Sequence, residues 1–423
     1  MAPERPRLRA VEAFPIEHEG RRLLALRDPS GLADRTLVIA AEAAGLLARL
    51  DGRHTLEDLV GAHFRATGVL LSLREVEGLV ELLDREHFLD SPAAARRRAL
   101  LTEAYRAAPH RPAAHAGISY PADPDQLDSQ LAALERATRV DVAAPDGGGE
   151  LVAIVAPHID LRVGAATYVP AYRALAAAGG ADIAVVLGVG HMGIPGLFAA
   201  GTLDFATPLG VARTDRAFVA ELSAAFGDDL TAEELAFRTD HTVEFQVLFL
   251  QRVLGDGVRV VPLLASFGFE EARGEAAGRI GRFAAALRET IARRRDEGLR
   301  VVVVVSADLA HVGPRYGDPA PFDEEQLLRV EEADRALLET VAAGDAAALL
   351  DRLAADRDRF RICGFSPLYT ALGAVGVRGG RLLAYGRGPT DGAGSICSYA
   401  SLALYGRASG APGLPITDGG ETR

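Results

Sequence analysis

The sequence predicts an α/β protein, a mostly parallel central sheet flanked by helices, preceded by a small winged-helix-like α+β domain. Three observations carry this expectation. Residues 151–156, 183–188, 258–264 and 300–306 are continuous apolar runs with β-branched residues, as strands covered on both faces should be. Helical stretches fall between most of them, and such alternation implies parallel pairing through right-handed crossovers. Before residue 116 the pattern is different, a hairpin and then three short helices.

In chain order, residues 14–50 read as two short strands around Glu19-Gly20, a turn at Asp28-Pro29-Ser30-Gly31, and a helix over 40–50. Asp51-Gly52 ends that helix, because Gly readily takes the left-handed conformation past a C-terminus. Thr55 with Asp58, and Ser72 with Glu75, are capping-box starts for helices over 56–65 and 73–86. Val76, Leu79, Val80 and Leu83 recur at helical spacing and form the expected buried face. These elements make a first domain over 1–91. Residues 92–115 form a linker rich in Ala, Arg and Pro, helical over 93–108 and broken by Pro109-His110-Arg111-Pro112. The α/β domain follows over 116–405, with helices at 168–178, 216–226, 243–254, 271–294 and 367–375. A late antiparallel pair is expected at 381–385 and 397–405. Residues 406–423, interspersed with Gly and Pro, read as a disordered tail.

Composition narrows the function. The 423 residues carry 46 basic and 58 acidic side chains, a formal charge of −12, and every basic residue is Arg. Without Lys there is no Schiff-base chemistry and no P-loop lysine, which excludes a kinase or P-loop ATPase. An acidic field repels phosphate backbones and anionic lipid, so neither nucleic acid nor a membrane is an expected partner. Residues 1–100 balance 15 basic against 16 acidic residues and lack the basic face of a DNA-binding winged helix. Cys363 and Cys397 are too few for a disulfide framework. No secretory leader or membrane-length apolar run is visible, so a reducing, cytoplasmic location is expected.

Three of the ten histidines, His158, His191 and His311, fall just past the carboxyl ends of expected strands, where open α/β sheets bind ligands. Any one of them alone reads as a loop histidine satisfied by hydrogen bonds; three at one end of consecutive strands point to a site. His241 is a fourth candidate, in Asp240-His241-Thr242-Val243-Glu244, where Asp240 caps the helix and His241 shares a face with Glu244. Glu244 reads equally as a functional carboxylate or as a partner of the helix dipole. Cys363 precedes a helix N-terminus that favours thiolate, whereas Cys397 sits inside a strand pattern and reads as a small buried hydrophobe. Gly188-Val189-Gly190-His191-Met192-Gly193 matches a dinucleotide fingerprint, but Ile194-Pro195-Gly196 follows where that motif requires a helix. Gly364-Phe365-Ser366-Pro367 lacks the second Gly of a nucleophile elbow.

The segment Ala116-Gly117-Ile118-Ser119-Tyr120-Pro121-Ala122-Asp123 resembles the opening motif of the Memo family, found in bacteria as the AmmeMemoRadiSam system protein B. The resemblance continues through Pro157-His158, 187–192, Thr207-Pro208-Leu209-Gly210, 240–246, 306–315 and 363–367. It implies a fold similar to that of class III extradiol ring-cleavage dioxygenases. By the same resemblance, His158, His191 and Cys363 match the family's metal positions, and His241 an additional pocket histidine. His311 matches the position where the dioxygenases keep a catalytic acid–base. The sequence departs from the family pattern at Ile159-Asp160, usually Ala-Gly, and at Gly190, commonly Ser. Residues 50–59 and 76–89 resemble PqqD-like winged-helix modules, which bind peptides or partner enzymes.

Two functions follow as expectations. One is a metal-dependent redox enzyme of extradiol-dioxygenase type, with a single transition metal, Fe(II) or Cu(I), or else Zn, and with His311 and His241 in catalytic roles. Its weak point is Cys363, since thiolate favours copper(I) or zinc over the carboxylate-loving non-haem iron. The other is a non-catalytic metal-binding accessory protein of a radical-SAM system, binding a peptide or partner through its first domain.

Overall fold

The computed structural model describes residues 3–138 and 149–406. The tail expected over 406–423 lies outside them, apart from Gly406, which closes the last strand. The chain divides into two compact units, 1–108 and 109–423.

The first unit opens with an antiparallel sheet of β1 (Glu12–His18), β2 (Arg21–Arg27) and β3 (Leu37–Ala40) in the order β1-β2-β3. Glu19 and Gly20 both take positive φ, 51° and 71°, which gives the two-residue hairpin a twist matching its strands. The helix expected over 40–50 contracts to a 3-10 turn and the four-residue α1 (Ala44–Leu47), and Leu50 donates back only to Leu47. Gly45 gives that segment little helical preference, while Leu46, Leu47 and Leu50 are drawn into the core. Helices α2 (Leu56–Thr67) and α3 (Leu73–Arg85) start on complete capping boxes at Thr55/Asp58 and Ser72/Glu75. They close the core through Leu59, Val76, Val80 and Leu83, with Leu79 at its margin. Helix α4 (Pro92–Arg106) completes the unit.

The second unit begins with α5 (Pro124–Ala137), β4 (Glu150–Ala156), α6 (Leu161–Ala177) and β5 (Ile183–Val189). Three short strands follow, β6 (Phe198–Ala200), β7 (Phe205–Thr207) and β8 (Gly210–Thr214). Next come α7 (Arg216–Phe226), α8 (Glu244–Leu254), β9 (Arg259–Ala265), α9 (Phe269–Arg273) and α10 (Ala277–Asp296). The remainder is β10 (Val301–Ser306), β11 (Asp308–Val312), α11 (Glu324–Ala343), α12 (Ala346–Asp356), α13 (Phe365–Ala374), β12 (Val377–Pro389) and β13 (Ile396–Gly406).

Parallel pairs join β4 to β10, β10 to β5, β5 to β9, and β9 to β8; antiparallel β13, β11 and β12 extend the β4 edge. Helices α7, α10 and α13 build the core on one face, while α6 and α8 pack together on the other. Five successive valines, Val301 to Val305, are at most 3% exposed, because both faces of β10 are covered. The helix expected over 168–178 begins earlier, at Leu161 after the Asp160 cap, so Pro170 lies inside α6. The single helix expected over 271–294 is broken at Gly274, where ψ of −149° ends α9 before α10 begins. β10 sits between β4 and β5, so the carboxyl ends of three parallel neighbours open side by side onto one crevice.

Candidate metal centre

Three of those ends deliver the side chains. His158 follows β4, His191 follows β5, and Ser306 ends β10 with Asp308 two residues on. His241 enters from the turn before α8. The three rings sit 5.2 Å (His158–His191), 5.5 Å (His158–His241) and 5.2 Å (His191–His241) apart by centroid. One ligand atom from each lies within 4.8 Å of the others, a grouping able to share one ion.

The network around His158 decides which nitrogen faces that point. Ser306 Oγ donates to the Thr242 carbonyl (2.7 Å), so its lone pairs are left for Gln246 Nε2 (3.0 Å) and His158 Nδ1 (3.3 Å). Nδ1 therefore carries the proton, and the Nε2 lone pair is turned toward Cys363 Sγ, 3.2 Å away. Gln246 is itself locked, donating to the Pro157 carbonyl (2.7 Å) and accepting from Tyr172 Oη (2.7 Å). Burial, with the charge of nearby His311, lowers the pKa of His158 to about 3, so the ring is neutral at pH 7. His191 reaches the open mouth of the cleft, yet the surrounding protein mass and the neighbouring imidazoles hold its pKa well below the usual value. Removing the Ser306 hydroxyl should free the His158 tautomer. For Ser306→Ala we expect metal affinity to fall ~10–100-fold, the usual cost of losing such a supporting bond. Titration against a competing chelator reads this, and an unchanged affinity contradicts the assignment.

Cys363 is brought in by a close backbone approach. Gly364 N–H donates to the Asp308 carbonyl (3.0 Å), and a Cβ on Gly364 would fall 2.5 Å from that oxygen. Asp308 Oδ1 accepts from the His158 amide (2.8 Å), and burial raises its carboxyl to about 6. Burial likewise pushes the Cys363 thiol well up, Asp308 adding to the effect. Cys397 is fully buried in β13, with Sγ 3.8 Å from Asp308 Oδ2.

The His241 turn is stitched to the sheet rather than to a helix face. Asp240 carboxylate oxygens accept from Thr242 N (3.1 Å), Thr242 Oγ (2.7 Å) and Val243 N (2.7 Å). Helix α8 starts only at Glu244, so His241 and Glu244 do not share a helical face as expected. Glu244 is fully buried and accepts from Arg111, the amides of Ala114 (3.0 Å) and His115 (2.9 Å), and the Tyr120 hydroxyl. The structural reading of Glu244 prevails: it anchors residues 111–120 against the α/β unit. That anchoring sets His115 edge-on to His241 at 5.7 Å, with its Nε2 on the Thr239 carbonyl (3.1 Å). Sequence reading missed His115, whose nearness to His241 arises through long-range contacts with Glu244 and Thr239.

The glycine fingerprint is explained without a nucleotide. A Cβ on Gly188 would lie 2.2 Å from Thr242 Oγ, so glycine is needed for the 240–243 turn to dock on β5. No helix follows Gly193 before α7. Ser366 is buried in α13, donating to the Ala265 carbonyl (3.0 Å), and is no nucleophile.

Comparison with known sequences gives the family. The profile of Memo-like proteins matches residues 111–403, from the buried Arg111 to the last strand. The chain belongs to the Memo family. A MEMO1 family protein of Aquifex aeolicus is 28% identical over 401 residues, covering 93% of this chain and 99% of its own. A match of that extent necessarily includes most of the first unit. A MEMO1 family protein of Thermus thermophilus is 29% identical over 79% of this chain and 94% of its own. One of Methanopyrus kandleri is 30% identical over 65% of this chain and 91% of its own.

In this Memo-family chain the two departures from the expected pattern have local causes. A Cβ on Gly190 would sit 2.6 Å from Ile194 Cδ1, so a side chain there would require the end of Ile194 to move. Ile159 is accommodated by Gly164, whose Cβ would fall 2.2 Å from Ile159 Cγ2, and Asp160 is occupied by Ser119 Oγ (2.8 Å) and Arg162. His311 is not in a loop past a strand, as expected, but on β11, paired antiparallel with Cys397 of β13. Its Nδ1 bonds the Leu309 carbonyl (2.9 Å), leaving Nε2 as the nitrogen able to exchange a proton. Burial lowers its pKa, partly offset by Asp308. We expect His311→Gln to retain metal while suppressing any turnover, since glutamine hydrogen-bonds but carries no proton. Metal content and oxygen uptake on this variant check both halves; loss of metal instead would make His311 a ligand.

Proposed function

We propose that the protein holds one transition metal, Fe(II) or Cu(I), on His158, His191 and Cys363, with His241 beside it, and uses it in redox chemistry. The observation that carries this reading is the approach of Cys363 Sγ to His158 Nε2, 3.2 Å, where His158 is one of three grouped histidines. Metal–nitrogen and metal–sulfur bonds of about 2.0 and 2.3 Å at a tetrahedral angle place the two ligand atoms roughly 3.5 Å apart, so the pair fits. A bound metal would supply a Lewis-acidic, redox-active centre at the crevice. Cys363, a thiol by its surroundings, would lose its proton on metal binding, and the neutral imidazoles need lose none. In its strongest form the reading is oxygen-dependent ring cleavage of extradiol type, with His311 moving the proton and His241 contacting the substrate. Zinc is the redox-inactive alternative. Anaerobic reconstitution with Fe(II) and with Cu(I), followed by oxygen uptake over a panel of catechols, tests it. Metal-dependent uptake is the expected result. Tight metal binding without uptake would instead favour a non-catalytic accessory role in a radical-SAM modification system.

For the first unit we propose a polypeptide partner. Phe64, Val69 and Leu70 stand 49%, 55% and 72% exposed around the end of α2, an apolar surface suited to peptide rather than phosphate. The full chain should show no salt-sensitive binding to duplex DNA in a fluorescence-anisotropy titration. Binding that weakens steeply with salt would contradict this. Among the described residues no helix is long and apolar enough to cross a membrane.

A further inference from the structure

Away from the histidine cleft, the α/β unit contains a second cavity of about 520 Å3, bounded by α11, α12 and the segment leading to Cys363. Leu337, Leu353, Phe360 and Ile362 give it apolar walls. Asp334, 1% exposed, also lines it. Asp334 Oδ2 accepts from Tyr385 Oη (2.8 Å) and Ser398 Oγ (2.6 Å), but Oδ1 has no hydrogen-bond partner among the described residues. A buried carboxylate oxygen left without a donor is costly, and burial has already raised this carboxyl to about 6. Asp351, which pairs with Arg273, and Asp356 and Asp358 line the same cavity together with Arg352, so its acidic groups outnumber the cations beside them.

A metal ion does not suit the cavity. Among the described residues, the only three-ligand grouping tight enough to hold one is the histidine cluster, and the volume is that of a small-molecule pocket. We propose that this cavity binds an organic cation, a primary ammonium on a short aliphatic stem, with the ammonium donating to Asp334 Oδ1 and the stem lying on Leu337, Leu353, Phe360 and Ile362. The ammonium supplies the donor that Asp334 lacks, and the stem matches the apolar walls.

The wall such a ligand would touch also supports the candidate metal centre. The His311 amide donates to the Phe360 carbonyl (2.7 Å), Arg361 Nε donates to the His311 carbonyl (2.8 Å), and Ile362 directly precedes Cys363. Arg357, Asp358 and Arg361 take φ of 59°, 50° and 57°, left-handed values that non-glycine residues adopt only when their surroundings impose them. An occupant therefore leans on a strained segment that delivers Cys363.

Calorimetric titration of the full chain with n-butylammonium, n-butanol and butyrate tests the proposal. We expect butylammonium to bind at least ~10-fold more tightly than butanol, and butyrate not to bind. Asp334→Asn should reduce butylammonium to the level of butanol. Ala348→Phe, which fills the cavity from α12 and leaves Asp334 intact, should abolish binding of both. Absence of saturable butylammonium binding, an ammonium preference that survives Asp334→Asn, or binding unchanged in Ala348→Phe would each overturn it. If Asp334→Asn does not fold, Ala348→Phe decides alone.

Discussion

Glu244→Ala is expected to destabilise the α/β unit by roughly 3–5 kcal/mol, the typical cost of removing one partner from a buried ion pair. The reason is the company Glu244 keeps. It and Arg111 are both fully buried, and its two oxygens also receive the Ala114 and His115 amides and the Tyr120 hydroxyl. Removing the carboxylate strands the Arg111 charge and three donors at once. The Arg111 guanidinium would retain only carbonyls as hydrogen-bond acceptors, at Phe237, Pro112 and Asp240, beside the Phe205 ring. At ~2–4 °C per kcal/mol for a unit of this size, the melting temperature should fall by on the order of 10 °C. Arg111→Met combined with Glu244→Leu should cost less than Glu244→Ala alone, because apolar replacement of both partners leaves no unmatched charge. Melting curves of the three proteins check this. A drop below ~1 kcal/mol for Glu244→Ala would mean that the pair is not desolvated as the structure has it.

The same pair shows where sequence reading stops. The parallel strands were legible because burial on both faces leaves an unbroken apolar run, as in Val301 to Val305. The capping boxes were legible because they are local, three residues apart. β6, β7 and β8 were not, since three to five residues form no period and their pairing is set by β9 and by each other. The polar stretch that becomes α11 has buried Val330, Leu337, Leu338 and Val341 at helical spacing, a signal present but passed over. At the site, His158 and His191 could be found from their positions after strands. The roles of Ser306, Gln246 and Asp308 could not, because each acts through a partner at least 60 positions away. His115 is the clearest case: it lies 126 residues before His241 in the chain and only 5.7 Å from it in the fold. Sequence set Cys363 beside His158 and His191 as a ligand; in the fold its Sγ lies 3.2 Å from His158 Nε2, while the tight group of ligand atoms is completed by His241, which sequence did not foresee.

His158→Ala should weaken metal binding by more than ~100-fold, since even a residue that only hydrogen-bonds a ligand is worth ~10–100-fold. His158 is the residue every arrangement of the centre requires. It stands 5.2 Å and 5.5 Å by ring centroid from His191 and His241, and it contacts Cys363. The variants at the other positions then sort ligands from neighbours. His191→Ala and Cys363→Ala should also lose the metal, whereas His241→Ala should keep most of it if His241 serves the pocket rather than the ion. Elemental analysis of anaerobically purified full chain, wild type beside His158→Ala, is the most direct measurement. One equivalent of iron or copper per wild-type chain, and almost none in a folded His158→Ala, is the result predicted. A His158→Ala protein that retains the full equivalent would place the metal elsewhere and contradict the centre described above.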